Sequence, residues 1–265
     1  MESKGRFAGL VAVVTGAGSG IGRATAVRLA REGASVGLVD ISAESAEQVR
    51  TDIESEGAKA LPVVADVSKP EDVARALGTI RDQLGTPRVL VNNAGILRVA
   101  SVDDTSDDLF ELVLRTNLFS VFYFSRNFAR MLDEEGLSGS IVNVSSIHAA
   151  VSEPNGGAYT AAKGGIEAMS RTMASEWARR GLRVNCVRPG ATHTSLSAPL
   201  YTEEVVRAIR MRVPMGTIAT PEQIAAGICF LASDEADYIT GTTLAIDGGY
   251  IMDGSLPGLT YSDNL

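Results

Sequence analysis

LVAVVTGAGSGIG, residues 10–22, decides how this chain folds. Its first part, Leu10 to Thr15, is a short run of apolar residues without the polar alternation of a half-solvated strand, and it suits a strand buried on both faces of a parallel sheet. The run passes directly into glycines. Gly16, Gly20 and Gly22 then open a helical pattern, Ala24, Val27, Leu29 and Ala30, that Gly33 ends. A strand that enters a helix through glycines lets backbone N–H groups and the helix N-terminus meet a pyrophosphate at close range.

Working outward, the next apolar run, Ala34 to Val39, ends at Asp40, eighteen residues beyond Gly22. A carboxylate there can accept both ribose hydroxyls of an adenosine and repels a 2′-phosphate. It can also cap the helix that follows, a task Ser42 could perform equally well. Neither Ser19 nor Ile41 supplies a cation for a 2′-phosphate. Strand and helix patterns continue to alternate: Ala60 to Val64, a helix from about Pro70 to Leu84, then Arg88 to Val91. Repeated βα units with short connections predict an α/β fold with a doubly wound parallel sheet, whose ligands bind beyond the carboxyl ends of the strands. Asp66-Val67 and NNAG, Asn92 to Gly95, fall at those ends.

YTAAK, Tyr159 to Lys163, carries the second set of functional groups. At 100° per residue, Tyr159, Lys163, Ile166, Ser170, Met173 and Trp177 share one helical stripe, which predicts that it faces a core. A lysine there needs a partner or a task. Tyr159 is one turn away. At roughly 4 Å and an effective dielectric of about 20, the ammonium would stabilise a phenolate by about 4 kcal/mol, or about 3 pKa units.

The whole chain bounds the alternatives. Its 265 residues suit one domain, with a core over about 8–250 and a tail over 251–265. No run approaches a membrane span or a signal-cleavage pattern, so a cytoplasmic protein is expected. The net charge is −8, and no Lys or Arg follows Arg212, which argues against nucleic acid and anionic membrane as partners. Cys186 and Cys229 sit among apolar neighbours and read as buried free thiols. His148 and His193 lack acidic companions at ligand spacing, so no metal site is expected.

TGAGSGIG, NNAG and YTAAK, in that order, resemble the short-chain dehydrogenase/reductase family of single-domain Rossmann enzymes, over about Leu10 to Tyr250. The resemblance implies that Gly16, Ser19, Gly20, Ile21 and Gly22 form the phosphate loop and that Asp40 and Ile41 meet the adenosine ribose. It makes Asp66 and Val67 adenine neighbours, and Asn93, Ala94 and Gly95 a wall of the cofactor site. Pro189, Gly190, Thr192 and Thr194, in PGATHT, match the loop that contacts the nicotinamide carboxamide, Thr192 by its backbone and Thr194 by its hydroxyl. Asn117, in RTNLFS on a long helical segment, matches the family's asparagine, which holds a water linking the lysine to solvent. Family spacing selects Ser146, thirteen residues before Tyr159, as the catalytic serine and leaves Ser145 a local turn bond. LAIDGGY, Leu244 to Tyr250, resembles a last strand that commonly packs in a homotetramer.

The implied activity is an NAD-dependent oxidoreductase that interconverts a small-molecule secondary alcohol and its carbonyl or lactone. Tyr159 moves the hydroxyl proton, Ser146 holds the substrate oxygen, and Asn117 and Lys163 relay the proton; Tyr159 and Lys163 also meet the cofactor. His148, two residues after Ser146, either donates to a substrate or seals its loop. SSIHAAVSEP, with the later VPMG and PEQIAA, resembles sugar 1-dehydrogenases such as glucose dehydrogenases and leans the substrate toward a sugar or polyol. A hydroxysteroid, a cyclic alcohol and a 3-oxoacyl thioester are alternatives, the last disfavoured because such reductases usually use NADPH. A silent nucleotide-sensing scaffold would be a different class, and the presence of Asn117, Ser146, Tyr159 and Lys163 together disfavours it. In the tail, Leu256, Leu259 and Tyr261 are expected to pack on a neighbour, to close a pocket or to be disordered.

Overall fold

The period-two geometry of a strand sends alternate side chains to opposite faces, and every residue of β1, Val11–Thr15, is buried. Val11 and Val13 join one apolar cluster, while Ala12 and Val14 join another. Two cores therefore sandwich the sheet. The computed structural model describes residues 5–254, so the tail residues Leu256, Leu259 and Tyr261 lie outside the described residues.

The other strands are β2 (Ser35–Asp40), β3 (Ala60–Val64), β4 (Val89–Asn92), β5 (Gly139–Val144), β6 (Leu182–Pro189) and β7 (Thr243–Ile246). All pair in parallel, in the order β3-β2-β1-β4-β5-β6-β7. The helices are α1 (Gly20–Arg31), α2 (Ala43–Ser55), α3 (Pro70–Leu84), α4 (Asp107–Leu114), α5 (Ser120–Glu135), α6 (Gly157–Trp177), α7 (Glu203–Arg212) and α8 (Pro221–Ala232). Leu29 of α1, Ile53 of α2 and Ile228 of α8 cover one face; Ile80 of α3, Phe128 of α5 and Met173 of α6 cover the other. This is the doubly wound Rossmann arrangement.

The chain steps outward from β1 to β3, then returns to β4 on the other side of β1. That reversal leaves a crevice beyond the carboxyl ends of β1 and β4, the place where such sheets bind ligands. Three local outcomes depart from the sequence expectations. The strand expected over Ser140–Ser146 stops at Val144, which places both serines past the ladder. The long helix expected around Asn117 is broken by a π turn, Arg115–Phe119, between α4 and α5. Such a turn inserts one residue, and it puts the Asn117 side chain fully inside the protein. The segment after PGATHT also forms α7, where the sequence reading names no helix.

Candidate active site

Glycine geometry shapes one end of the crevice. Gly16 and Gly20 take left-handed backbone angles, φ +63° and +51°. A Cβ on Gly16 would lie 2.9 Å from Ala94 Cα, and one on Gly22 would overlap the Gly16 carbonyl oxygen. The loop thus packs directly on NNAG and on itself. Thr15 locks the junction: its hydroxyl accepts the Asn93 and Ala94 amides, each at 3.0 Å, while the Asn93 side chain donates to the Thr15 and Gly16 carbonyls. Ser19 begins α1 without a side-chain capping bond, which leaves first-turn amides to a ligand.

Asp40 accepts from the Gly18 amide at 2.8 Å and the Ser42 amide at 2.9 Å. Ser42, by accepting the Ser45 amide, is the cap of α2, so the capping alternative for Asp40 falls to its neighbour. Asp40 faces the cleft beside Ile41, which is 73% exposed. Asp66 and Val67 line the same cleft. Against the opposing effect of burial, the Ser68 hydroxyl and amide hold the Asp66 carboxyl below its usual range.

The cleft, about 740 Å³, runs continuously from this end to Ser146, His148, Tyr159 and Lys163. Lys163, 4% exposed, donates to the Val144 carbonyl at 2.8 Å, and its ammonium stands 5.6 Å from the centre of the Tyr159 ring. Burial lowers its pKa to about 8. Burial pushes the Tyr159 phenol the other way, up to about 12, with the Ser146 hydroxyl opposing and the charges of Glu153 and Tyr201 adding to the rise. The lowering expected from the sequence is therefore not what the structure has: burial of the phenol sets the direction of the shift. Asn117 binds Ile96 reciprocally, its amide oxygen accepting the Ile96 N–H at 2.8 Å and its amide nitrogen donating to the Ile96 carbonyl at 2.9 Å. A Cβ at Gly95 would crowd Asn117 Oδ1 at 3.2 Å and touch Lys163 Nζ at 3.8 Å. The site thus gathers all four expected catalytic groups around one end of the cleft.

Pro189, Gly190, Thr192 and Thr194 line the wall between the two ends, and Thr194 packs on Gly20 of the phosphate loop. Left-handed glycines, open first-turn amides, a cleft-facing carboxylate and a continuous cleft fit a nicotinamide dinucleotide.

The family model described as enoyl-(acyl carrier protein) reductase matches residues 16–251. Cis-4-hydroxycyclohexanecarboxylate dehydrogenase of Sinomonas cyclohexanicum is 42% identical over 92% of this chain and 97% of that protein. A solved short-chain type dehydrogenase/reductase from Mycobacterium marinum superposes with a TM-score of 0.90 at 31% identity, covering 93% of this chain and 97% of its own. The chain is a short-chain dehydrogenase/reductase. A solved structure from Beutenbergia cavernae, described as a candidate NAD(P)-dependent gluconate 5-dehydrogenase with NADP bound at low occupancy, is also similar. It has a TM-score of 0.88 and 39% identity, and covers 93% of this chain and 98% of that one. As a member of this family the dehydrogenase is an oxidoreductase of CH–OH groups that uses a nicotinamide cofactor.

The dehydrogenase also carries functional neighbours that sequence reasoning passed over. Ser145 does not make a local turn bond; its hydroxyl donates to Glu167 of α6 at 2.8 Å. Glu167, buried one turn beyond Lys163, pairs with Arg188 of β6 through two bonds of 2.9 and 2.5 Å. The i, i+4 spacing from Lys163 was the available signal. Asn92 and Asn143, opposite each other in β4 and β5, link side chains at 2.8 Å beneath the site. His148 contacts Glu153 at 3.0 Å through Nε2, whereas its Nδ1 is buried without a partner among the described residues. His193 is exposed. Tyr201, which no motif marked, lines the cleft and accepts the Thr192 amide.

Proposed function

We propose that the chain interconverts a secondary alcohol on an alicyclic ring and its ketone, with NAD as cofactor. The observation that carries this reading is the convergence of Ser146, Tyr159 and Lys163 on one end of a cleft whose other end presents Asp40. When bound, the dinucleotide supplies the hydride acceptor for oxidation and the hydride donor for reduction. Tyr159 exchanges the proton of the substrate hydroxyl, and Ser146 donates to the substrate oxygen as carbonyl character develops. With its pKa near 12, Tyr159 holds a proton at neutral pH and is poised to give it to a carbonyl. For oxidation the phenol must lose that proton, which nearby positive charge, Lys163 included, favours. Asn117 fixes the Ile96 backbone and serves the proton path between the lysine and solvent.

The alicyclic class rests on the substrate-side wall. Leu97, Leu112, Leu196, Leu200, Val205 and Ile209 dominate it, a surface suited to a ring with few hydroxyls. The Sinomonas relative supports the same class by its name. A sugar or polyol is the second reading, favoured by the polar His148–Glu153 pair at the rim. NAD rather than NADP follows from Asp40, whose charge would repel a 2′-phosphate, and from Ile41, which offers no cation. The same reading makes the chain one domain over residues 1–265 and a cytoplasmic homotetramer, with half-exposed Phe119 and Phe122 as apolar surface for association.

The test is reduction of NAD and of NADP, followed at the reduced-nicotinamide absorbance, with cis-4-hydroxycyclohexanecarboxylate, cyclohexanol, gluconate, an aldose and a steroid alcohol. Turnover of the ring alcohols with NAD is expected. Preference for gluconate or the aldose would transfer the assignment to the polyol class, and preference for NADP would defeat the Asp40 argument.

A further inference from the structure

Tyr201 has no part in the chemistry above, yet it is tied to the nicotinamide loop. The Thr192 amide donates to Tyr201 Oη at 3.2 Å. Thr192 is 5% exposed, so its N–H must have an acceptor inside the protein. Its other polar groups are satisfied within the loop: Thr192 Oγ1 donates to the Gly190 carbonyl at 2.9 Å, and the Thr192 carbonyl accepts Ser197 Oγ at 2.6 Å. The amide's partner is the Tyr201 phenol, on a side chain that itself lines the cleft. Tyr201 is half-buried and follows a single 3-10 turn, Ala198–Leu200, with the His193 ring edge-on at 5.8 Å. Leu196 and Leu200, on the same segment, line the substrate side of the cleft.

One N–H makes one good hydrogen bond at a time. If the Thr192 amide serves the cofactor's carboxamide, as the resemblance of PGATHT implies, the phenol and the carboxamide want the same proton. We propose that Tyr201 competes with the nicotinamide carboxamide for the Thr192 amide. Seating the nicotinamide half of the cofactor, and not the adenosine half, then releases Tyr201 and frees the segment around Leu196 and Leu200 to adjust to substrate. This inference rests on the dinucleotide reading of the cleft.

The experiment compares the affinities of NAD and of ADP-ribose, which lacks nicotinamide, for the wild-type protein and Tyr201→Phe by titration calorimetry. The variant keeps the ring and removes only the competing oxygen. NAD should bind it about two- to tenfold more tightly, the range of one net hydrogen bond, while ADP-ribose affinity stays the same. Unchanged or weaker NAD binding with ADP-ribose intact overturns the competition and leaves the functional reading standing. An equal change in both ligands also overturns it, because the effect would then not lie at the nicotinamide. Wild-type protein that binds neither ligand overturns the dinucleotide reading and this inference together.

Discussion

At the adenosine end of the cleft, Asp40 accepts from the Gly18 and Ser42 amides and Asn93 is woven into the Thr15–Gly16 backbone; at the substrate end, Leu196, Leu200, Val205 and Ile209 form a wall of side chains on a loop and α7. The first end is built from main chain, glycine conformations and strand termini, where a substitution collides with something that cannot move. The second is built from side chains whose individual contributions are small and exchangeable. On the proposed reading, selectivity for the cofactor is concentrated in few positions, and selectivity for the substrate is spread over many. Ser146, Tyr159 and Lys163 stand at the inner edge of this second end, where it meets the first.

The largest expected effect tests whether the ends are separable at that junction. Tyr159→Phe should lower turnover by about 10²–10⁴-fold, the usual worth of a proton-transferring side chain, and leave NAD affinity, read by fluorescence titration, within about threefold. Parallel loss of affinity and turnover would mean that the cofactor end does not stand on its own.

The second prediction concerns what the junction does to stability. Lys163 has a folded pKa of about 8 against an ordinary 10.5. Between those values the unfolded chain binds more protons than the folded one, so this group makes stability rise with pH across that window; below pH 8 its full penalty applies. At about 1.4 kcal/mol per pKa unit, Lys163→Met should be more stable than the wild type by about 3 kcal/mol at pH 7, less whatever the lost bond to Val144 contributed. The margin should shrink as the pH approaches 10.5. Tyr159, raised from 10 to about 12, works in the opposite sense only above pH 10, and it does so in both proteins. Urea unfolding at pH 7 and pH 10 reads the difference. A variant less stable than the wild type at pH 7 would show that the ammonium is compensated in place.

The two ends also differ in how far they could be read from residues alone. Gly16, Gly20, Gly22, Asp40 and Asn93 were visible because a backbone needing left-handed angles or close approach admits few residue types, and chain order places them at strand ends. The doubly wound parallel sheet followed from alternating βα units, though the order of its strands did not, and α3 matched its expected bounds, Pro70–Leu84. The π turn at Asn117 was not visible, because one inserted residue leaves a helical hydrophobic pattern nearly unchanged over a single turn. Glu167 with Arg188 and Tyr201 with Thr192 were missed for a different reason: their partners lie 21 and 9 residues apart and meet only through tertiary packing. The depressed lysine pKa depends on burial depth, which the helical stripe indicated in direction only, and the raised phenol pKa runs against the lowering that the Tyr159–Lys163 spacing suggested, because burial of the phenol dominates.

A smaller effect is expected at the adenosine end, where one carboxylate is asked to choose the cofactor. Asp40→Ala should weaken NAD binding by about tenfold, the worth of hydrogen bonds to a charged group, and improve NADP binding by removing like-charge repulsion. The ratio of kcat/KM for the two cofactors would then fall by one to two orders of magnitude. An unchanged ratio would move cofactor choice away from Asp40 and weaken the claim that this end concentrates its selectivity.

The smallest effect should come from the substrate end, and its size decides between two substrate classes. His148 holds Glu153 at 3.0 Å through Nε2, while its Nδ1 lacks a partner among the described residues. A ring alcohol carries one reacting hydroxyl, which Ser146 and Tyr159 engage, so His148 touches such a substrate by packing alone. His148→Ala should then raise KM about two- to fivefold with kcat nearly constant, because ground state and transition state lose the same weak contact. A polyol would bring further hydroxyls to the imidazole, each worth about two- to tenfold in binding. A rise in KM of about a hundredfold, for whichever alcohol turns over fastest, would therefore place selectivity in one polar pair and favour the polyol. A change confined to a few-fold keeps it distributed over the apolar wall.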